Sequence, residues 1–418
     1  MDQTAKIQNT AKIQNAAKIQ NAAKIVVVSQ HYPPDRSTTA AIMAVIAGHL
    51  VAQAPVLVVS GTPGSASHEA TERDRPVVVE VKNRIPAKAA LIRRAAAEAL
   101  FTLRVFVALL GKLRRGDVAL TVPAPFMLPY AVAAAARLKR ARSALIMHDL
   151  YPDVLVMAGL LKPSSFLAKA IRGANALMFR GLDAVIIIGR DTEALLLRYK
   201  GVTPDKIRFI PNWATLVPGV RPILSDNPYR RLHAARFLVG LSGNLGFTHD
   251  PDVVFDAARL LRDDPDIHFL LSGWGIGFER LKQMQSGANL PNVTLVERVP
   301  EQDLEQFLAA ADIWLIPYRK DLAGISVPSR FYNLLAIGRP VLLLSEPNAE
   351  AALTVSEHGL GWVVEPGNPE ELARTIGLAS RSEDPSRAER AATIAQRYNF
   401  ADAMAAYADL MQKLLREA

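Results

Sequence analysis

Short runs of β-branched and aliphatic residues recur along the chain, and between them the apolar residues fall at helical spacing. The first half carries such runs at 25–28, 56–59, 77–81, 118–122, 144–147 and 184–188, with a helical pattern over 38–53 after the first. A second series opens at 237–242 and continues at 267–272, 293–296, 313–316, 341–344 and 362–364. Strands buried on both faces read as continuous apolar runs, and their alternation with helices predicts a parallel, doubly wound sheet. Two series predict two such sheets, whose strand ends face one cleft, where open α/β sheets bind ligands. Between them, 211–236 is rich in Pro, Asn and Arg, follows neither periodicity and marks a hinge. The pattern over 401–415 is an amphipathic helix with no strand after it.

Composition narrows the chemistry. Half of the 418 residues are hydrophobic and 21% are charged, which suits a folded globular chain. With no cysteine, a disulfide scaffold, a thiolate nucleophile, a zinc ribbon and a cysteine-held iron–sulfur cluster are excluded. Residues 1–24 hold no apolar core of leader length, so export is not expected; they repeat TAKIQN, TAKIQN, AAKIQN as a duplication of the first strand's lead-in. The longest uncharged run, 118–136, carries Pro123, Pro125 and Pro129, so a membrane-spanning helix is not expected there.

The net charge of +9 is uneven. Residues 1–210 hold 29 Lys/Arg against 14 Asp/Glu, and 211–418 hold 20 against 26. A basic half of this size suits an anionic surface, either nucleic acid or the lipids of a cytoplasmic leaflet. Its densest part, 82–115, has nine Lys/Arg, including Arg93, Arg94, Arg114 and Arg115, and one acid, Glu98, around an apolar core at 100–110. That is the composition of an interfacial helix, or of a buried helix with solvated basic flanks.

Four turns at strand ends carry candidate chemistry. In SGNLG at 242–246, Gly243 and Gly246 let backbone approach a phosphate and Asn244 lies between them; a following helix N-terminus would add free N–H groups. SGWGIG at 272–277, with Gly273, lacks the third glycine of a dinucleotide fingerprint and supports only close approach to a sugar or phosphate. In VPSRFYN at 327–333, Ser329 and Arg330 open a helix with Asn333 three residues on, a hydroxyl, a forked cation and an amide suited to a diphosphate and ribose, or simply a cap with a surface Arg. HDLYPD at 148–153 puts His148 and Asp149 at the cleft, with spacing that does not aim His148, Asp149 and Asp153 at one metal ion. The Asp-Pro-Asp sequences at 250–252 and 264–266 read as helix entries or turns.

Taken in order, these turns resemble the retaining glycosyltransferases of family 4, of GT-B architecture, and within them a branch that builds bacterial exopolysaccharide, O-antigen and colanic-acid-type units. The resemblance rests on VSQHYPPD at 28–35, HDLYPD at 148–153, KIRFIPNW at 206–213, SGNLG at 242–246, ERVPEQDLEQFLAAADIWLIPYR at 297–319, VPSRFYNLLAIGRPVL from 327 and EHGLGWVVEPGNPEELA at 357–373. It implies an α/β fold of two Rossmann-like, doubly wound domains facing a cleft: a tail at 1–23, an acceptor- and membrane-facing domain at 24–212, a hinge at 213–236, a nucleotide-sugar domain at 237–397, and a helix at 398–418 crossing back to the first domain.

It also implies transfer of a sugar, with retention, from a nucleotide sugar, UDP-linked, to a polyprenyl-diphosphate-linked acceptor, by an enzyme peripheral on the inner face of the cytoplasmic membrane. Neither metal nor cofactor nor nucleic-acid partner is implied. Phosphates would lie near Gly246 and Arg330, the base near Arg298 and Val299, the ribose near Asn333, and the sugar beside His148. The family's paired glutamates would fall at Ile325 and Asn333, and many relatives place a basic residue where Phe247 and Thr248 stand, so Arg330 would bear more of the charge. Two rival readings are a GT-B nucleotide-sugar 2-epimerase, which calls for more cleft carboxylates, and a non-catalytic scaffold of a polysaccharide assembly.

Overall fold

The computed structural model describes residues 22–35, 37–61, 75–83, 91–157, 159–231, 233, 235–382 and 384–418. The repeat at 1–21, with Arg36, Arg84 and Lys88, lies outside the described residues. The first sheet consists of β1 (Ile25–Ser29), β2 (Val56–Ser60), β3 (Val77–Glu80), β4 (Val118–Thr121), β5 (Arg142–Met147), β6 (Ala184–Ile187) and β7 (Ile207–Phe209), all parallel in the order β3-β2-β1-β4-β5-β6-β7. The second has β8 (Phe237–Asn244), β9 (Ile267–Trp274), β10 (Val293–Val296), β11 (Ile313–Pro317), β12 (Val341–Leu344) and β13 (Gly361–Val364), parallel in the order β10-β9-β8-β11-β12-β13. Strand order reverses between β1 and β4 and between β8 and β11, the points where such sheets open a ligand crevice.

The sequence dictates this locally. Every residue of β1, β4, β6, β11 and β12 is buried, so their β-branched and aliphatic side chains pack against helices on both faces. Polar caps set the helix starts: the Ser37 hydroxyl accepts the Ala40 N–H at the head of Thr38–Leu50, and the Asn368 amide accepts the Glu371 N–H at the head of Pro369–Ala379.

Three features depart from the sequence reading. β7 was not among the expected strands; it has three residues, of which only Ile207 is buried, too few to show a period. β8 and β9 run two residues past their apolar runs, through Asn244 and Trp274, because Gly243 and Gly273 lie side by side in register and let the strands stay paired. The described residues of 211–236 form no helix or strand but are tied down: Ala214 N–H donates to Tyr398 O at 2.9 Å, Gly219 N–H to Ala336 O at 2.8 Å, and Arg230 pairs with Asp312 at 2.8 Å.

The last helix, Phe400–Arg416, is capped by Asn399, which accepts the Asp402 N–H. Its buried face, with Met404, Tyr407, Met411 and Leu414, joins Ile25, Met43, Ile46 and Leu50 in one cluster beside the first sheet, and Arg142 Nη2 donates to Glu417 O.

Candidate functional site

The wall built by the second sheet begins at the paired glycines. Gly243 has φ +111°, a backbone conformation other residues rarely adopt, and a Cβ there would lie 3.0 Å from Arg330 Cζ. A Cβ on Gly273 would collide with the Gly243 carbonyl. Glycine at 273 therefore keeps β9 against β8, and glycine at 243 leaves room for the guanidinium of Arg330, the first residue of helix Arg330–Ala336, over the end of β8. Its Nη2 donates to Asn244 O, while Nη1 is buried without a partner among the described residues. Burial pushes this guanidinium down to about 10. Gly246 is open; the nearest atom to a Cβ there would be Asn244 Nδ2 at 3.8 Å.

The sequence reading missed His249, which packs at this point. Its ring centroid is 5.1 Å from that of Tyr318, its Nδ1 lies 3.1 Å from Thr248 Oγ1, and Arg319 Nε donates to its carbonyl at 2.9 Å. His249 Nε2 is buried without a partner among the described residues, and burial, reinforced by the Arg330 and Arg319 charges, holds the imidazole well below its usual range and so neutral. Beside it opens a cavity of about 320 Å³ lined by Gly246, Gly277, Arg280 and Arg319 and, from the first sheet's side, Met157. Helices Pro251–Leu260 and Ile276–Ala288 start at its edge, so the positive ends of their dipoles face it, while Asp252, which also lines it, pairs with Arg280 at 3.0 Å. The only advance signal was a histidine one residue before the Asp250-Pro251 helix entry.

The other expected donor residues are dispersed. Arg298, exposed past the end of β10, stacks on the Trp274 ring at 4.4 Å, making a flat platform that motif reading did not foresee. Val299 is partly buried against the core. Ser329 precedes its helix with no side-chain capping bond. The Asn333 carboxamide turns away from Arg330: it accepts Thr215 N–H at 2.7 Å and donates to Thr215 Oγ1 at 2.9 Å.

Opposite, β5 ends at Met147, and His148 and Asp149 follow it. His148 Nε2 is buried without a partner among the described residues, and burial lowers the imidazole to about 4. Burial raises the Asp149 carboxyl to about 6. Asp149 acts electrostatically on Tyr318 from the other sheet, so the two walls meet here. The loop behind is braced: Asn175 donates to Tyr151 O at 2.6 Å and accepts from the Tyr130 hydroxyl at 2.6 Å, and Arg172 pairs with Asp153 at 3.1 Å. In the loop after β1, His31 Nδ1 lies 2.6 Å from Asp35 Oδ2; burial opposes ionisation of Asp35, yet its bonds from His31 and Ser37 hold the carboxyl below its usual value.

The walls are clasped at one corner. Asp191 Oδ2 accepts Gly324 N–H at 2.7 Å and Glu350 N–H at 3.0 Å, and Arg190 pairs with the buried Glu350 at 3.0 Å and with Glu357 at 3.1 Å. One turn after β6 thereby fixes the loop that leads to Arg330. Among the described residues, no group of three or more His, Asp or Glu is placed to hold a metal ion.

The basic segment forms helix Leu91–Lys112. Phe101, Val105 and Leu109 are buried, whereas Leu100, Leu103 and Val107 form an exposed stripe. Arg93 and Arg94 stand exposed near its start, where Arg94 pairs with Glu98 at 2.9 Å and both act on Tyr151 of the cleft loop. Arg114 and Arg115 lie beyond its other end, about 30 Å away at 1.5 Å per residue. No helix among the described residues is long and apolar enough to cross a membrane.

Comparison with known proteins gives concordant matches. A family model described as glycosyl transferases group 1 matches residues 236–380, and one described as a glycosyl transferase 4-like domain matches 37–213. The chain is 28% identical over 292 residues to the probable glycosyltransferase WbjE of Pseudomonas aeruginosa, covering 68% of this chain and 72% of that protein. It is 27% identical over 251 residues to the putative colanic acid biosynthesis glycosyl transferase WcaI of Escherichia coli, covering 58% and 61%. Among solved structures it resembles Anabaena HepE in complex with UDP and glucose (TM-score 0.64, 18% identity, 95% of this chain and 100% of that one). It also resembles WaaG, a glycosyltransferase involved in lipopolysaccharide biosynthesis (TM-score 0.60, 15% identity, 93% and 99%). At these identities the structural likeness establishes the fold.

Proposed function

Since the chain belongs to the family 4 glycosyltransferases of GT-B architecture, in the branch that serves polysaccharide biosynthesis, we propose that it moves a sugar from a nucleotide sugar, UDP-linked, to a polyprenyl-diphosphate-linked acceptor for a bacterial surface polysaccharide, with retention of configuration. The observation that carries this reading is a pair of buried nitrogens without a partner among the described residues: Arg330 Nη1 over the end of β8, and near it His249 Nε2, whose ring lines a cavity edged by the starts of two helices. Such a seat suits a diphosphate, whose growing charge on leaving it stabilises without a divalent ion. That HepE was solved with UDP and WcaI is named for colanic acid biosynthesis agrees with this choice of donor and pathway class.

His148 takes the place beside the transferring sugar; its neutral imidazole can hydrogen-bond a hydroxyl without adding positive charge where the sugar itself becomes cationic. Asp149, ionised above about pH 6, opposes that positive charge. The exposed stripe of helix Leu91–Lys112, with basic residues at both ends, supports seating on the anionic inner face of the membrane, where the acceptor lipid resides.

The test is nucleotide release from a panel of UDP- and GDP-sugars, with and without a lipid-diphosphate acceptor, in the presence of a chelator. Release that needs acceptor and survives chelation is expected. Release without acceptor favours the epimerase reading, and no release with any donor favours the scaffold. Reversal of Arg93, Arg94, Arg114 and Arg115 to Glu should abolish sedimentation with anionic liposomes; binding indifferent to these changes and to salt would remove the membrane role from this helix.

A further inference from the structure

At the pole of the first sheet opposite the cleft, where β5, β6 and β7 begin, lies a second cavity, of about 420 Å³, that the transfer reaction does not use. Arg137, Arg142, Arg180, Lys206, Arg208 and Lys413 line it, against Asp183, Asp205 and Glu417. Helix ends account for part of this. Arg137, Arg180 and Lys413 lie in the last turns of Leu128–Lys139, Phe166–Gly181 and Phe400–Arg416, where cations offset the carbonyl ends of the helices. That explanation does not reach Arg142 and Arg208, which arrive from the strands β5 and β7.

The internal partners leave charge uncompensated. Arg142 is matched by Asp183 at 2.6 Å, and Lys206 Nζ reaches the Arg180 carbonyl at 3.2 Å. The Arg208 guanidinium bonds the carbonyl of its neighbour Ile207 and acts at a distance on Asp205, Lys413 stands 3.9 Å from Glu417, and the guanidiniums of Arg137 and Arg180 have no hydrogen-bond or ion-pair partner among the described residues. A concave surface lined by an excess of one sign focuses its field and concentrates a counter-ion.

We propose that this cavity is a binding site for a phosphate-bearing anion, held by Arg137, Arg180, Arg208 and Lys413. Because Lys413 belongs to the last helix and the other three to the first sheet and its helices, the bound anion ties that helix to the domain it covers.

The test is isothermal titration with inorganic pyrophosphate at fixed ionic strength, in the Arg330→Ala background so that the cleft does not contribute. Saturable binding to one site is expected, weakened about tenfold or more by Arg180→Glu with Arg208→Glu, as befits loss of two charge-assisted contacts. The charge-matched pair Lys112→Glu with Lys139→Glu, outside the cavity, should leave affinity within about twofold. Equal losses from the two pairs would mean a diffuse field, and that result, like the absence of saturable binding, overturns the proposal. Flotation with phosphatidylglycerol against phosphatidylcholine vesicles, in a background with Arg93, Arg94, Arg114 and Arg115 changed to Glu so that the Leu91–Lys112 helix does not contribute, separates the sources: residual vesicle binding that Arg180→Glu/Arg208→Glu removes identifies a lipid headgroup, and pyrophosphate binding with no residual vesicle binding a soluble phosphate.

Discussion

On the second sheet's wall of the cleft, Arg330 and His249 each keep a buried nitrogen without a partner, whereas the loops of the first sheet's wall are largely bonded to themselves, through His31–Asp35, Asn175–Tyr151 and Arg172–Asp153. The exceptions on that wall, His148 and Asp149, are burdened by burial in opposite senses: the imidazole is kept neutral and the carboxyl is made reluctant to ionise. The acidic half of the chain therefore supplies the seat suited to an anion, and the basic half supplies a wall that carries a neutral imidazole beside a carboxyl. Total charge is a poor guide here. Many of the described cations of the first half lie on the Leu91–Lys112 helix and at the far pole, and Arg172 and Arg190, nearer the cleft, are paired with Asp153 and Glu350.

The contrast breaks most visibly at Arg330. Arg330→Ala should lower transfer about a hundredfold and weaken nucleoside diphosphate binding about tenfold or more, at roughly 1.5–3 kcal/mol per charge-assisted bond, with Lys restoring part of it. Calorimetry with UDP reads this directly, and an unchanged affinity would take Arg330 out of the donor seat.

His148→Ala should cost turnover about tenfold while UDP affinity stays within about twofold, because the neutral imidazole faces the sugar and not the diphosphate. Parallel losses in both quantities would erase the distinction between the walls.

The next effect is a pH dependence of a few-fold. Turnover should rise as pH passes about 6, and the rise should vanish in Asp149→Asn. The stability signs differ for the two neighbours. Asp149, raised from 3.8 to about 6, contributes stability that is complete below 3.8 and lost as pH rises through 6, so Asp149→Asn should melt higher than the parent at pH 8. His148, lowered from 6.5 to about 4, contributes stability present above 6.5 and lost as pH falls toward 4, so His148→Ala should narrow the gap to the parent in acid. Thermal melts from pH 4 to 8 check both directions.

The smallest change is expected from Asn333→Ala, under about threefold in UDP affinity, since its carboxamide is already committed to Thr215. A tenfold loss would mean that the ribose displaces Thr215, and would add a neutral hydrogen-bonding group to the charged wall.

Most strands were legible because fully buried parallel strands leave unbroken β-branched runs. β7 left too short a trace, and the glycines that prolong β8 and β9 look like turn signals in one dimension, although their pairing keeps the strands together. Arg330 was legible from its motif. His249 was not, since a single histidine in a loop announces nothing until Tyr318, Arg319 and Arg330 are folded around it. Nor was the Arg190–Glu350 clasp, whose partners are 160 positions apart.

The return of helix Phe400–Arg416 bears on how the chain is made. The ribosome delivers the first sheet early, but the residues that cover the flank formed by Ile25, Met43, Ile46 and Leu50 emerge only after the whole second sheet has been threaded out. Until then that apolar flank is open to water and to other nascent chains, so the first half cannot complete its core in order of synthesis, and shielding at this stage falls to whatever meets it at the tunnel exit.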